Sequence, residues 1–213
     1  MRALILDFDG TIVDSEPLHG EALTSVLAPL GLSLPPDGCI GLPDADAFHA
    51  VFAHAGRPFD PDQLHTLLER KSAAAEKLWR AGRARPYPGA IDIIRESFAR
   101  NIPVAVCTAA LRREAAPVLR SLGVLPLLAA FTTADDVSRS KPDPACYTHT
   151  CARLGLPPAD CTAIEDSVAG TTSARAAGCR VIAVGHTTPA AALTAAHEHV
   201  TAIADLNALF GWR

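Results

Sequence analysis

From residue 86 onward, short apolar runs alternate with helical patterns, and each run ends in polar or small residues. That rhythm is the signature of an α/β fold, a parallel sheet whose strands are joined by crossover helices. The expected strands are Ala3 to Asp7, Pro103 to Thr108, Ala129 to Thr133, Thr162 to Asp166 and Arg180 to Val184. The expected helices cover Ala90 to Arg100, Arg112 to Leu122, Pro144 to Leu154, Val168 to Ala177 and Ala190 to His197. Pro117 should kink or delay the second of these, because proline lacks an N–H and its ring crowds the preceding turn. From about Glu16 to Gly82 the rhythm stops, and three helical stretches (Leu18 to Leu30, Ala45 to Ala55, Asp62 to Ala81) follow with no convincing strand between them. The expected organisation is therefore a core built from residues 1–15 and 84–213, with an inserted helical cap domain at 16–83. The flanks of the insert, Asp14-Ser15-Glu16-Pro17 and Arg83-Ala84-Arg85-Pro86-Tyr87-Pro88-Gly89, are turn-rich and stiffened by proline, as hinges are. Ligands of open α/β sheets bind outside the carboxyl ends of the strands, so an insert placed just after the first strand is expected to act as a lid over that edge.

Composition narrows the function classes. The chain has 213 residues, is 49% hydrophobic and carries a formal net charge of −4. That is ample for a packed core and gives no basic footprint for nucleic acid. The longest apolar stretch, around Val124 to Phe131, contains Pro126 and is too short to span a bilayer. Asp7 interrupts the only apolar run near the N-terminus, so no secretory signal is expected and the cytoplasm is the expected address. Six cysteines (Cys39, Cys107, Cys146, Cys151, Cys161, Cys179) are scattered without a CxxC pair, and are read as reduced, mostly buried thiols. The cluster Cys146, His149, Cys151 has no spacing common to structural zinc sites.

Chemistry should begin at Leu4-Ile5-Leu6-Asp7-Phe8-Asp9-Gly10-Thr11, where an apolar run delivers two carboxylates into a glycine turn. Residues two apart on an extended segment point the same way, so Asp7 and Asp9 can approach one site. Close carboxylates repel unless a cation or shared proton relieves them, and a hard divalent ion such as Mg2+ suits their oxygens. An Asp-Gly pair between apolar segments is also a strong hairpin signal. An EF-hand is a poorer match, because its glycine follows three ligand positions.

Three further elements stand at strand ends. Thr108 closes Val104-Ala105-Val106-Cys107 and precedes a helix, so its hydroxyl and the amides of Ala109 and Ala110 could hold phosphate oxygens; it could equally be a helix cap. Lys141 in Ser140-Lys141-Pro142-Asp143-Pro144 is kept out of helical backbone by the following proline, while Asp143 can cap a helix starting at Pro144; a loop lysine with no other role is simply solvated. Glu165-Asp166-Ser167 ends the run Thr162-Ala163-Ile164 and offers either helix capping or a second source of metal-binding oxygens.

Taken in order, DFDGT, a strand-terminal Thr, KPDP and EDS resemble the haloacid dehalogenase superfamily of phosphotransferases across the whole chain. Asp14-Ser15-Glu16-Pro17-Leu18-His19 and the position of the insert resemble the branch containing β-phosphoglucomutase and many small sugar-phosphate phosphatases. The resemblance implies a Rossmann-like, doubly wound parallel sheet with an inserted α-helical cap, acting on a small-molecule phosphate ester as a monomer. It implies that Asp7 is the nucleophile that forms an aspartyl-phosphate, and that Asp9 is the general acid and base. It further implies Mg2+ held by the Asp7 side chain, the Asp9 main-chain carbonyl and Asp166, with Glu165 a further or water-mediated ligand. Lys141 and Thr108 then neutralise and orient the phosphoryl group.

Some relatives displace halide from carbon. Asp9 argues against that here, because halide leaves without a proton whereas an alkoxide benefits from general acid help. In the cap, His19 matches a mutase histidine thought to couple closure to proton transfer, and Lys71 sits where the mutases carry a lysine; Arg57 and Arg70 are further candidates for the non-reacting end of a substrate. One departure separates hydrolysis from mutation. In Gly41-Leu42-Pro43-Asp44 the loop glycine is kept, but Asp44 stands where sugar mutases place an arginine for a second phosphate. An anion there weakens any grip on a bisphosphate, so a phosphatase is expected ahead of a hexose-phosphate mutase, and both ahead of a non-catalytic phosphate-ligand binder.

Overall fold

The computed structural model describes residues 2–212 apart from positions 37, 40, 41 and 43. Gly41 and Pro43, part of the loop read above, lie outside the described residues. The chain divides into two compact units, one formed by 1–14 with 85–213 and the other by 15–84.

The first unit is built on a six-stranded sheet in which every pairing is parallel. In chain order its strands and helices are β1 (Ala3–Leu6), β2 (Val13–Asp14) and, after the helical unit, β3 (Arg85–Pro86), α4 (Ala90–Ala99), β4 (Val104–Cys107), α5 (Arg112–Ser121), β5 (Ala130–Thr132), α6 (Ala145–Leu154), β6 (Cys161–Glu165), α7 (Val168–Ala177), β7 (Arg180–Val184), β8 (Glu198–Val200) and α8 (Leu206–Leu209). The second unit supplies α1 (Glu16–Leu27), α2 (Asp44–His54) and α3 (Pro61–Arg80). The order across the large sheet is β5-β4-β1-β6-β7-β8, the doubly wound α/β arrangement that the alternating pattern predicts. The chain fills one side of β1 with β4 and β5, then crosses to fill the other with β6, β7 and β8. Topology reverses at β1, and the carboxyl ends beside such a reversal are where open α/β sheets place their ligands.

The strands read as continuous apolar runs because both faces of the sheet are covered. Ala3, Leu4, Ile5 and Leu6 are fully buried, as are Ala105, Val106, Ala163, Ile164, Val181 and Ile182. β2 and β3 form a separate antiparallel pair, Val13 opposite Pro86 and Asp14 opposite Arg85, at the point where the chain leaves this unit and returns to it. All six cysteines are free thiols, and all but Cys39 are buried. Among the described residues, no helix is long and apolar enough to cross a membrane.

Two expectations need correction. No helix forms over Ala190 to His197; there is a single 3-10 turn at Ala190–Ala192, and the chain then runs into β8. Alanine favours helix locally, but Leu193 is drawn into the core, the His197 N–H donates to the Val181 carbonyl, and His197 Nδ1 accepts from the Val181 N–H. Pairing beside β7 overrides propensity. Pro117 does not delay α5, which begins at Arg112 and runs through it. The Glu114 carboxylate accepts from the Leu111 N–H at 3.1 Å and secures the first turn, so the helix starts upstream of the proline, which lacks the N–H its position would have donated.

The helical unit has its own core, in which Leu23, Val26 and Leu27 of α1 pack with Phe48, Val51 and Phe52 of α2 and Leu67 of α3. The spacing of these residues is that of helices with one buried stripe. The start of α3 is fixed by Asp60, whose carboxylate accepts from the Asp62 N–H at 3.0 Å, with Pro61 in the first helical turn.

Candidate active site

The end of β1 carries the first carboxylate. The ladder continues one residue past the strand, with the Asp7 N–H donating to the Ile164 carbonyl at 3.0 Å, and the chain then turns sharply. Asp7 is 6% exposed, Phe8 is fully buried and Asp9 is half-buried. Gly10 has φ 74°, and a Cβ there would fall on the Asp166 carboxylate, so the turn requires glycine both for its backbone and for its bareness. The hairpin reading of this Asp-Gly pair is half right. The Asp9 to Val13 segment does fold back, but it feeds β2, whose partner is β3, while β1 pairs with β4 and β6.

The other strand ends converge on Asp7. One carboxylate oxygen from each of Asp7, Glu165 and Asp166 lies within 4.8 Å of the others, and all three residues are buried. Lys141 enters this cluster from the loop before α6. Its ammonium donates to Asp7 Oδ1 at 2.5 Å, to Glu165 Oε1 at 2.6 Å and to the Cys107 carbonyl at 2.9 Å. All three of its protons thus have acceptors, and the side chain is only 6% exposed, far from the solvated loop lysine of the alternative reading. The loop that delivers it is tied down at Asp143, just before α6. Asp143 accepts from the Ala145 N–H at 2.9 Å at the start of α6, and the Ser173 hydroxyl of α7 donates to the Asp143 carbonyl at 2.6 Å.

Glu165 is committed to donors of the protein. Its Oε1 takes Lys141 and the Tyr147 hydroxyl at 2.7 Å, and its Oε2 takes the Ser167 hydroxyl at 3.2 Å. A Cβ at Gly170 would overlap this carboxylate, so the first turn of α7 is hollowed to admit it. Asp166 is clamped by the Thr11 hydroxyl, which donates to Oδ1 at 2.9 Å, and by the Thr187 hydroxyl, which donates to Oδ2. Tyr147, Thr11, Thr187 and Gly170 were not singled out by the sequence. Tyr147 lies in the first turn of α6 with no motif around it, and Thr187 follows β7 in a stretch with no strand-end motif.

Electrostatics sets the demand of the site. Three buried carboxylates face one ammonium, leaving two negative charges uncompensated if all ionise. Burial pushes Asp7 well above the usual carboxylate range; Lys141 pulls it back, and Glu165, Asp166 and Asp9 add repulsion. Burial, then Glu165, drives Asp166 up to about 7, against the bonds from Thr187 and Thr11. Burial disfavours the Lys141 ammonium, yet Asp7 and Glu165 outweigh it and hold its pKa well above the ordinary lysine value. An all-oxygen set with surplus negative charge fits a hard divalent cation.

Thr108 is buried at the end of β4, next to β1, with its N–H on the Thr132 carbonyl. Its hydroxyl accepts from the Ala110 N–H at 2.9 Å, so that amide, expected to be available to phosphate, is already used within the loop; Ala109 is exposed beside it. The helix-cap reading of Thr108 does not hold, because the residue preceding α5 is Leu111.

His19 and Lys71 belong to the helical unit and meet each other there. The buried Lys71 ammonium donates to His19 Nδ1 at 2.6 Å and pairs with Asp44 at 2.8 Å and 3.0 Å through its two carboxylate oxygens. Arg57 spends a proton on the Leu30 carbonyl at 2.8 Å and lies over the Phe52 ring, which fixes it within its own unit.

Residues 1–178 match the haloacid dehalogenase-like hydrolase family, a span that contains Asp7, Asp9, Thr108, Lys141, Glu165 and Asp166. The chain belongs to that family. Among haloacid dehalogenase-like relatives, it is 32% identical to validoxylamine A 7'-phosphate phosphatase of Streptomyces hygroscopicus subsp. limoneus over 193 residues, 88% of this chain and 86% of that one. It is also 32% identical to fructose-1-phosphate phosphatase of Escherichia coli (strain K12) over 178 residues, covering 82% and 92% of the two chains. Among solved structures, a putative β-phosphoglucomutase from Thermotoga maritima superposes with a TM-score of 0.79 at 26% identity, covering 99% of each chain.

Proposed function

We propose that this hydrolase is a Mg2+-dependent phosphatase of small phosphorylated metabolites, of the sugar-phosphate or phosphoglycolate type, working through an aspartyl-phosphate on Asp7. The observation that carries the reading is the buried cluster in which Lys141 bridges Asp7 and Glu165 with Asp166 alongside. Asp7 and Asp166, with the Asp9 main-chain carbonyl, would hold the metal. Glu165, already bonded to three side-chain donors, fits better as the anchor that keeps Lys141 aimed at Asp7. When bound, Mg2+ supplies positive charge that lets an anionic phosphate approach an anionic carboxylate.

In this reading an Asp7 oxygen attacks phosphorus, an acyl-phosphate bond forms and the P–O bond to the alcohol breaks. Asp9, half-buried beside Asp7, gives its proton to the leaving alkoxide and then takes one from the water that attacks the aspartyl-phosphate, releasing inorganic phosphate. Lys141 neutralises charge on the transferring group. The Thr108 hydroxyl, with its lone pair on Ala110 N–H, has its proton left for a phosphoryl oxygen. The helical unit serves in this reading as the cap that selects substrate.

The similarity to a putative β-phosphoglucomutase keeps a mutase as the second reading. The Asp44–Lys71 pair weighs against it: a lysine neutralised by both oxygens of a carboxylate is a poor anchor for a second phosphate. The test is a panel of phosphorylated metabolites with Mg2+, scored for both phosphate release and isomerised product. Phosphate release that disappears in Asp7→Asn supports the reading. Isomerised product with phosphate retained, or an Asp7→Asn protein with wild-type turnover, overturns it.

A further inference from the structure

We infer that His186 is a positioning residue for the nucleophile turn, a neutral imidazole of fixed tautomer that holds the Gly10 carbonyl and thereby the path of the chain from Asp7 to Thr11. The inference rests on the catalytic reading above for its consequence, but not for its geometry. His186 follows β7 by two residues and is partly buried. Its Nε2 lies 3.1 Å from the Ile203 backbone nitrogen, and its Nδ1 lies 2.9 Å from the Gly10 carbonyl oxygen. A backbone N–H can only donate, so Nε2 must carry a lone pair. The carbonyl can only accept, so Nδ1 must carry the proton. The carbonyl excludes the tautomer protonated on Nε2 alone, the Ile203 N–H excludes that tautomer and the imidazolium, and only one protonation state satisfies both. Burial favours it too, lowering the pKa of His186 below the ordinary histidine value.

The ring is also held from the side. Tyr87 stacks on it with centroids 3.8 Å apart and planes 23° apart. The Tyr87 N–H donates to the Ile12 carbonyl at 2.9 Å, and its hydroxyl reaches Asp14 Oδ1 at 3.4 Å, so the stacking partner is itself fastened to the far end of the same turn. Thr187, the very next residue, grips Asp166. Two adjacent residues after β7 therefore hold the nucleophile turn and the second acidic loop in one relation to each other. Gly10 has no side chain to set that relation, and its positive φ leaves the turn dependent on outside support.

The test separates this role from simple packing. In wild-type protein with 15N-labelled histidine, the His186 ring should be neutral with its proton on Nδ1 at neutral pH, the tautomer that free histidine disfavours. A proton on Nε2, or a doubly protonated ring, overturns the geometry. Two substitutions then divide the ring's functions: His186→Asn can keep a donor near the Nδ1 position, and His186→Gln can keep an acceptor near the Nε2 position. Expected is a fall in kcat of about tenfold or more in His186→Gln, with KM within about twofold, and recovery to within about threefold of wild type in His186→Asn. Equal losses in both variants, the reverse order, or no loss in His186→Gln would overturn the positioning role. An active Asp7→Asn protein would instead overturn the catalytic reading, and the ring's tautomer would still decide the geometry.

Discussion

Replacing Lys141 by methionine removes, among the described residues, the cation paired with a cluster of three buried carboxylates while keeping most of the side-chain volume. All three ammonium protons are in use, at 2.5 Å to Asp7, 2.6 Å to Glu165 and 2.9 Å to the Cys107 carbonyl, and the side chain is 6% exposed. Leaving a buried partner without its counter-charge costs roughly 3–5 kcal/mol. That cost should depend on pH in a stated direction. Asp7 already binds its proton more tightly in the folded protein than in the unfolded chain, so the stability it confers is full below the ordinary carboxylate range and is lost as pH rises through the raised folded value. Lys141 opposes that shift, and without it the carboxylates hold a proton to still higher pH. One proton held by the folded state alone is worth about 1.4 kcal/mol per pH unit, so between about pH 5 and about pH 7 the gap between wild type and Lys141→Met should widen by up to that amount for each unit in which the variant keeps a proton that wild type has released. Urea unfolding followed by far-ultraviolet circular dichroism, with a chelator present, measures it. A gap that stays flat over this range, or a variant as stable as wild type at neutral pH, would refute the argument that Lys141 is the counter-charge of this cluster.

Tyr147→Phe deletes the fully buried hydroxyl that donates to Glu165 at 2.7 Å, and thermal unfolding should show a loss of about 1.5–3 kcal/mol; a loss under about 0.5 kcal/mol would mean that the bond contributes nothing. Gly170→Ala places a methyl where the Glu165 carboxylate stands and should cost about 1–3 kcal/mol or more, whereas combining it with Glu165→Ala should cost clearly less than the sum of the two single changes; strict additivity would count against the overlap. Without a cation, Asp166 holds its proton up to about pH 7, so Mg2+ must displace that proton below this value. Affinity measured by calorimetry should rise with pH below about 7, by up to about tenfold per unit for the Asp166 proton, and an affinity that ignores pH would be inconsistent with this protonation state.

Much of this molecule was legible in its sequence because its chemistry stands at changes of composition. Asp7, Thr108, Glu165 and Asp166 each end an apolar run or follow one directly, and an apolar run ending in a polar residue is visible without knowledge of any neighbour. Lys141 was legible through the prolines around it. Tyr147 and Thr187 act through residues 18 and 21 positions away, so no local pattern marks them, and Thr11, though it ends the DFDGT motif, has its partner 155 positions on. The failure at Ala190 to His197 has the same origin. Alanine content argues for helix, and the deciding bonds come from Val181 on a neighbouring strand. The loop after β4 shows the opposite limit: Thr108 was found, but that its hydroxyl would use the Ala110 amide could only be seen in three dimensions.

β1 lies between β4 and β6, so this strand ends up flanked by two that are synthesised after it. While the chain is still emerging from the ribosome, Asp7 has neither its lysine nor its acidic neighbours, and stays an ordinary solvated aspartate. In the proposed reading, reactivity toward phosphate esters is therefore withheld from every nascent fragment that stops short of residue 166, which makes the appearance of activity a report on the joining of β6 to β1.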